Sequence, residues 1–494
     1  MQKRVWKMIN TKMLSKIMSF LLGFTALFML LAGGVALFYQ EIDTALYPLL
    51  KSIGITLTVA IIAAYYGRNA KVTFSRRDSF LMVTSAWVVV SALGMLPFLL
   101  SGSIPDITNA YFETISGFTT TGATILDDIE SLPKSLLFWR SLTQWIGGLG
   151  IVFFTIAVLP LFGIGSLHLI AAETSGPVKG KVLPRMGVAA KWIWSIYLSL
   201  TILEVIFLLF GGMDLFESVC HAFTTISTGG YSPRQNSIAA YHSPYIEYVI
   251  AIFMTLSGIN FSILLLAFSG KIKKFFKDTE LRWYIGSMIL FTILITYILY
   301  ARNTINFGIE ESFRLAFFQV ASLHTSTGYA TADYVLWPTV AWALLTLVMM
   351  MGACAGSTTG GIKSIRLVVM SRMSLNEFKT LIHPHAILPV RINDHPISSD
   401  VKNRVLSFTF VYIVLVIFGS LLMMFLGVGF TESLGCIISS IGNMGPGLGA
   451  FGPAVTWNAL PDSCKWLLSF YMLLGRLELF TVLVLFTPAF WSHN

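Results

Sequence analysis

A short glycine-bearing stretch is written four times in this chain, and it decides what the chain can fold into. The copies are Thr119-Thr120-Thr121-Gly122-Ala123-Thr124, Ile226-Ser227-Thr228-Gly229-Gly230, Thr325-Ser326-Thr327-Gly328-Tyr329 and Gly442-Asn443-Met444-Gly445-Pro446-Gly447. Each carries a glycine as its fourth residue and lies between two long apolar segments. A recurrence of about 110 residues is too long for a small solenoid repeat and suits a hairpin of two membrane spans. One such stretch alone would be a tight turn or a close helix contact. Four in register with four hairpins specify an architecture.

The composition says where that architecture sits. The chain is 55% hydrophobic and 12% charged, against roughly 25% charged residues in soluble domains, so it is a polytopic membrane protein. Ten apolar segments read as spans: 17–39, 52–66, 80–100, 141–162, 192–212, 248–268, 283–300, 335–362, 405–430 and 466–491. The first follows Lys3, Arg4, Lys7, Lys12 and Lys16 and is too long for a signal core, so it is expected to be retained. The net charge of +9 reflects topogenic loops rather than a nucleic-acid surface. Arg68/Lys71/Arg76/Arg77, Lys179/Lys181/Arg185, Lys271/Lys273/Lys274/Lys277 and Arg366/Arg372/Lys379/Lys402 all fall on the side of the N-terminus. By the positive-inside rule that side is cytoplasmic, with both termini there. The opposite loops are acidic, with Asp106, Glu113, Asp127, Asp128, Glu130, Asp214, Glu217, Glu310, Glu311, Glu432 and Asp462.

All four special stretches lie on the acidic side, each after a helical segment of about ten residues (111–118, 216–225, 313–323 and 431–440). That length is too short to cross a bilayer and suits a re-entrant half-helix. The expected fold is an all-α membrane protein of ten transmembrane helices. Four helix, re-entrant pore loop, helix repeats are arranged with pseudo-fourfold symmetry, and two N-terminal helices stand outside them. The expected units are 1–78, then repeats at 79–187, 188–278, 279–403 and 404–494. Non-helical backbone at membrane depth must be buried or line water. Four extended strands can turn carbonyl oxygens to a common axis and replace the water shell of a cation. Half-helix C-termini aimed at that axis favour positive charge.

With these features the chain resembles the Trk/Ktr/HKT superfamily of potassium transporters, over nearly its whole length. The two extra N-terminal spans and the Gly442-Asn443-Met444-Gly445-Pro446-Gly447 stretch look most like the bacterial TrkH branch. The resemblance implies K⁺ as the transported ion and no organic cofactor. It implies coordination mainly by main-chain carbonyls of Thr120, Thr121, Gly122; Ser227, Thr228, Gly229; Ser326, Thr327, Gly328; and Asn443, Met444, Gly445. A glycine, not a serine, at Gly122 favours K⁺ within the superfamily. The resemblance also implies a bacterial inner-membrane location, a homodimer, and a peripheral nucleotide-binding (RCK-type) ring subunit docking on the basic loops. The chain itself has no P-loop, no GxGxxG after a strand and no Ser/His/Asp set, so it is not expected to be an enzyme.

Further residues stand out within the spans. In 335–362, Gly352, Gly356, Gly360 and Gly361 with Ser357, Thr358 and Thr359 interrupt an apolar run. Glycine costs about 1 kcal/mol per helical position, so the helix is expected to break, small-residue packing being the alternative. By resemblance this is an intramembrane gating loop beneath the filter, with Lys363 at its inner end. The corresponding 147–150 and 257–260 segments are milder and expected to stay helical. Arg476 lies roughly 15 Å into the last span, where a guanidinium must find water, the pore or a carboxylate. Glu478 is on nearly the opposite helix face, which leaves the pore. Glu204 is a second intramembrane charge, expected to pack against a buried partner. His383, His385 and His395 lie in a Pro-containing loop that reads as solvated or partner-docking rather than as a metal site. Cys220, Cys354, Cys436 and Cys464 read as buried free thiols. A secondary transporter for another solute and a poorly selective Na⁺/K⁺ permease are the competing readings.

Overall fold

The structure, a computed structural model, describes residues 9–70, 75–150, 186–302 and 308–492. Lys3, Arg4, Lys7, Lys71, Lys179, Lys181, Arg185 and the expected span beyond residue 150 lie outside them. Two N-terminal helices, α1 (Thr11–Phe38) and α2 (Tyr47–Gly67), pack along each other. Asn10 starts α1 by accepting a hydrogen bond from the Met13 amide, the usual service of an asparagine before a helix.

Four units of one design follow. The first has α3 (Arg76–Gly94), the short α4 (Ile107–Phe118), a non-helical glycine-bearing stretch (119–124, the first strand) and α5 (Lys134–Gly148). The second has α6 (Met186–Phe210), the short α7 (Leu215–Ile226) and the bent pair α8 (Pro244–Ser257) and α9 (Phe261–Phe268). The third has α10 (Thr279–Arg302), α11 (Ile309–His324), α12 (Thr339–Met350) and, after a loop, α13 (Ser364–Ile382). The fourth has α14 (Ser399–Phe425), α15 (Phe430–Gly442) and α16 (Asp462–Arg476). Three expected unit boundaries, at 78, 187 and 403, fall inside α3, α6 and α14. The helices α4, α7, α11 and α15 have 12, 12, 16 and 13 residues, too short for a hydrocarbon core of about 30 Å at 1.5 Å per residue.

Each unit hands on to the next. The second helix of one unit packs on the short helix of its successor: α5 on α7, α8 on α11, α12 on α15, and α16 back on α4. The ring is closed. Among the described residues six helices are long and apolar enough to cross a membrane, up to eight if each of two bent pairs is one span. Those pairs explain part of the difference from ten. The expected 248–268 span bends by 104° between α8 and α9, and the expected 466–491 span bends by 111° after Arg476. Glu478 and Leu479, both at φ +55°, carry the second bend. In the third unit α12 stops at Met350, and two residue pairs, β1 (Met351–Gly352) and β2 (Ile362–Lys363), run parallel at the neck of the intervening loop. A second small pair, β3 (Arg391–Ile392) and β4 (His395–Pro396), makes a hairpin between α13 and α14.

Candidate functional site

The strands that follow α4, α7, α11 and α15 share one backbone pattern. Thr120, Thr228, Ser326 and Asn443 have φ between +51° and +55°. Two residues on, Gly122, Gly230, Gly328 and Gly445 have φ between +78° and +99°, which only glycine adopts without strain. This corrects the register of the second strand. Its structural counterpart of Gly122 is Gly230, and Gly229 corresponds to Thr121, Thr327 and Met444. The amides confirm the alignment: Thr121, Gly229, Thr327 and Met444 donate to Ser116, Thr224, Ser322 and Ser439 at 2.8–3.0 Å.

The four strands meet. A Cβ on Gly122 would overlap the carbonyl of Gly229, one on Gly230 that of Thr327, and one on Gly328 that of Met444. A Cβ on Gly445 would sit 2.9 Å from the carbonyl of Thr121. Each glycine is therefore packed on the carbonyl of the next strand in a cyclic sequence. All four glycines line one cavity of about 80 Å³, with Arg140, Arg234, Gln235, Pro453 and Trp457 in its wall.

Buried polar pairs hold this ring. Glu113 on α4 pairs with Arg140 on α5 at 2.7 Å, with side chains 0% and 3% exposed. Glu113 also accepts from the Ile125 amide and the Thr124 hydroxyl, each at 3.0 Å. Arg140 donates to the Ser232 carbonyl at 3.0 Å and stacks 3.4 Å over the Tyr231 ring. Gln144, fully buried on α5, bridges the second strand: its Nε2 donates to Gly229 O at 2.8 Å and its Oε1 accepts from Tyr231 N at 3.0 Å.

On the other face of the ring lies the 353–361 loop. Gly360 N donates to Ser326 Oγ at 2.8 Å, and Thr358 Oγ1 lies 3.2 Å from Thr228 Oγ1. A Cβ on Gly360 would overlap the Gly442 carbonyl. Arg476 Nη1 donates to Thr120 Oγ1 at 3.2 Å and to Thr358 O at 2.8 Å. The side chains at Thr120, Thr228 and Ser326 thus all contact the loop or the arginine under it. Among the predicted loop residues, Thr358, Thr359 and Lys363 are buried, while Gly356 is exposed. Lys363 turns back to donate to the Thr359 carbonyl and hydroxyl. Gly352 pairs with Lys363 in the parallel neck, and the Ser357 and Thr359 hydroxyls meet at 2.9 Å.

The helix break in the third unit is not isolated. α5 ends at Gly148, and α8 ends at Ser257 and turns sharply into α9, so the expectation that 147–150 and 257–260 stay helical is overturned. The loop locks onto the second break: Cys354 N donates to Gly258 O at 3.0 Å, and Phe261 N to Gly356 O at 3.2 Å. The first break exposes carbonyls that Arg476 Nη2 takes, Gly147 at 2.5 Å and Gly148 at 2.9 Å. These main-chain partners, absent from the sequence argument, stabilise a cation at a helix C-terminus. Glu478 pairs instead with Arg366, which is buried rather than part of an exposed basic cluster.

Sequence comparison adds lineage to this geometry. The profile of the TrkH family, described as a cation transport protein, matches residues 50–493. The chain belongs to the TrkH family. It is 36% identical over 469 residues to the Trk system potassium uptake protein TrkH of Escherichia coli K12, covering 94% of this chain and 96% of that protein. It is 34% identical over 485 residues to TrkG of the same organism, covering 98% and 99%. The crystal structure of the potassium transporter TrkH from Vibrio parahaemolyticus superposes with a TM-score of 0.88 at 32% identity, covering 98% of this chain and 100% of that one. TrkH-family proteins are transporters, and this chain is a multi-pass membrane transport protein, not an enzyme.

The remaining sequence candidates are placed as follows. Glu204 is fully buried on α6 and faces Thr225 on α7, although neither of its carboxylate oxygens reaches close hydrogen-bond geometry with a described residue. His383, His385 and His395 are exposed, and no group of three metal-ligating side chains occurs among the described residues. The four cysteines are buried and free. Gln144, Arg140 and Glu280 show their roles only through partners distant in sequence, and Glu113, expected in an acidic outer loop, is instead buried in an ion pair with Arg140.

Proposed function

We propose that the chain carries K⁺ into a bacterium across the inner membrane through one pore on the axis of the four units. In this reading the mouth is the cavity floored by Gly122, Gly230, Gly328 and Gly445, and it faces outward. The selectivity filter is made by carbonyls of the four strands, Thr120–Gly122, Thr228–Gly230, Ser326–Gly328 and Asn443–Gly445, with Ser227 O one step further in. The observation that carries the proposal is the cyclic packing of each glycine on the next strand's carbonyl. Oxygens brought this close around an axis can replace a cation's hydration shell. The C-termini of α4, α7, α11 and α15 run into the strands, and their dipoles favour a cation there. The names of the relatives, potassium uptake proteins, support K⁺ as the ion.

The 353–361 loop is then the gate. It lies against the strand side chains, is built of residues without bulk, and is held by hydrogen bonds that a modest movement would exchange for water. Opening is driven by a cytosolic nucleotide-binding ring subunit on a homodimer of this chain. The exposed Lys271, Lys273, Lys274 and Lys277 offer that subunit a basic surface.

The test is ⁸⁶Rb⁺ uptake into proteoliposomes containing the purified chain, competed with K⁺ or Na⁺. Saturable uptake displaced by K⁺ well before Na⁺ is expected. Equal displacement by both ions would support an unselective permease, and no Rb⁺ uptake with or without an imposed ion gradient would sink the proposal.

A further inference from the structure

We infer that Gln144 is a positioning residue for ion selectivity: its carboxamide fixes the second strand by occupying the space that a side chain fills in the other three. The inference rests on the reading of the four strands as the filter.

The second helices of the four units start after Pro133, Ser243, Pro338 and Pro461. The same number of steps from each start reaches Gln144, Met254, Met349 and Met472. All four are fully buried. Three are methionine, as suits an irregular apolar gap. A carboxamide at such a position is costly unless both of its ends are bonded, and here both are. Nε2 donates to Gly229 O at 2.8 Å, and Oε1 accepts from Tyr231 N at 3.0 Å. These two main-chain groups flank Gly230, so the side chain grips the strand on both sides of its left-handed residue. A carboxamide is the side chain that offers a donor and an acceptor side by side on one rigid group. A carboxylate would lack the donor, and a thioether would lack the donor and accept only weakly.

The partner position is specific too. The residues corresponding to Gly229 are Thr121, Thr327 and Met444. The Thr121 and Thr327 hydroxyls bond those of Thr119 and Thr325 at 2.8 Å, so these strands are held by their own side chains. Gly229 cannot do this. Its φ is outside the range that requires glycine, and a Cβ on it would run into the Gln144 carboxamide. It is glycine for room. Gln144 and Gly229 are therefore a matched pair, one supplying the group that the other omits. The carbonyl they fix is the one against which Gly122 packs, so the pair sets the seam between the first two strands.

The experiment measures ⁸⁶Rb⁺ uptake with K⁺ and Na⁺ competition, together with melting temperature, on the full chain. Gln144→Met installs the residue of the other units, and Gln144→Glu keeps the shape but removes the donor. Each is expected to lower the preference for K⁺ over Na⁺ about tenfold, the scale of one buried hydrogen bond. Gly229→Thr alone collides with Gln144 and is expected to lose uptake. Gly229→Thr with Gln144→Met, which rebuilds the arrangement of the other strands, is expected to regain it. Unchanged selectivity in both Gln144 variants, while Gly328→Ser shifts it, would overturn the inference and leave the filter reading standing. If Gly328→Ser also leaves selectivity unchanged, the filter reading falls, and the inference with it. Should the single variants fail to fold, the double variant decides: uptake better than Gly229→Thr supports the pairing, and no improvement overturns it.

Discussion

The Arg476 guanidinium donates to the main-chain oxygen of Thr358 at 2.8 Å. With its other bonds, to Thr120, Gly147 and Gly148, it joins the end of α16 to the 353–361 loop, the first strand and the broken end of α5. The side chain acts as a strut first and, in the proposed reading, as a charge near the pore second. Arg476→Ala is expected to free the loop, raising Rb⁺ flux severalfold with K⁺ preference kept, and to lower the melting temperature. Arg476→Lys should fall between, because one ammonium cannot span acceptors that a planar fork reaches together. A lysine variant equal to wild type in flux and melting would mean that the charge alone matters.

Glycines of similar φ separate packing from backbone strain. Gly230 (φ +78°) has no room for a Cβ beside Thr327 O, whereas Gly212 (φ +85°) has nothing within 4 Å. Gly212→Ala is expected to cost about 1 kcal/mol of stability through its backbone alone, with uptake unchanged. Gly230→Ala must also push two strands apart, so K⁺ preference should drop. Equal effects on ion preference from the two substitutions would remove strand contact as the cause.

The Glu113–Arg140 pair sits between α4, α5 and the loop that carries Tyr231. Removing one partner leaves a buried charge without its counter-ion, expected to cost about 3–5 kcal/mol. Glu113→Gln and Arg140→Met should each sharply lower the melting temperature in detergent, and the double variant should be less damaged than their sum. Additive losses would show that the two side chains do not depend on each other.

What the sequence made legible follows from which constraints are local. A φ of +83° to +99° is strained for any residue but glycine, so Gly122, Gly328 and Gly445 could be read directly. The second strand carries two adjacent glycines for different reasons, Gly230 for its φ and Gly229 for room beside Gln144, and nothing local tells them apart. The short helices showed through their length, and their ends came within a few residues. The breaks after Gly148 and Ser257 did not. Gly147-Gly148 in an apolar run reads equally well as close helix packing, and the turn at Gly258 is held by a distant amide, Cys354 N. The carbonyls of Gly147 and Gly148 that bind Arg476 are free only because α5 ends there, so these partners are invisible in the sequence.

Arg366 and Glu478 form a second tie across the inner end of the loop. Arg366 is 4% exposed, rests 3.8 Å over the Phe408 ring and pairs with Glu478 just beyond the α16 break. Glu478→Ala is expected to loosen the start of α13, raising flux and lowering the melting temperature. The exchange Arg366→Glu with Glu478→Arg should recover part of both. No recovery in the exchanged protein would indicate that stacking on Phe408, rather than the ion pair, holds the joint.

Glu280 holds the opposite arm of the same loop. It lies in the first turn of α10, and its Oε1 accepts from the Ala355 amide at 2.5 Å. A carboxylate on a main-chain amide is a charge-assisted bond, stronger than a neutral one. The turn that carries it is fixed from the side of the β3–β4 hairpin: Thr279 N donates to Asn393 Oδ1 at 2.8 Å, and Asn393 Nδ2 to Asp278 Oδ2 at 2.7 Å. Ile392 in that hairpin belongs to the apolar cluster with Ile365 and Val369, just past the loop's far end. Both arms of the loop are thus tied to one exposed hairpin, so displacement there should reach the loop. Glu280→Ala breaks the tie at Ala355 directly and is expected to raise flux severalfold. Asn393→Ala acts one step away and should raise it less. In the double variant the Asn393 change should add little, since its path to Ala355 runs through Glu280. Fully additive increases would mean that the hairpin acts on the loop through Ile392 and Ile365 instead.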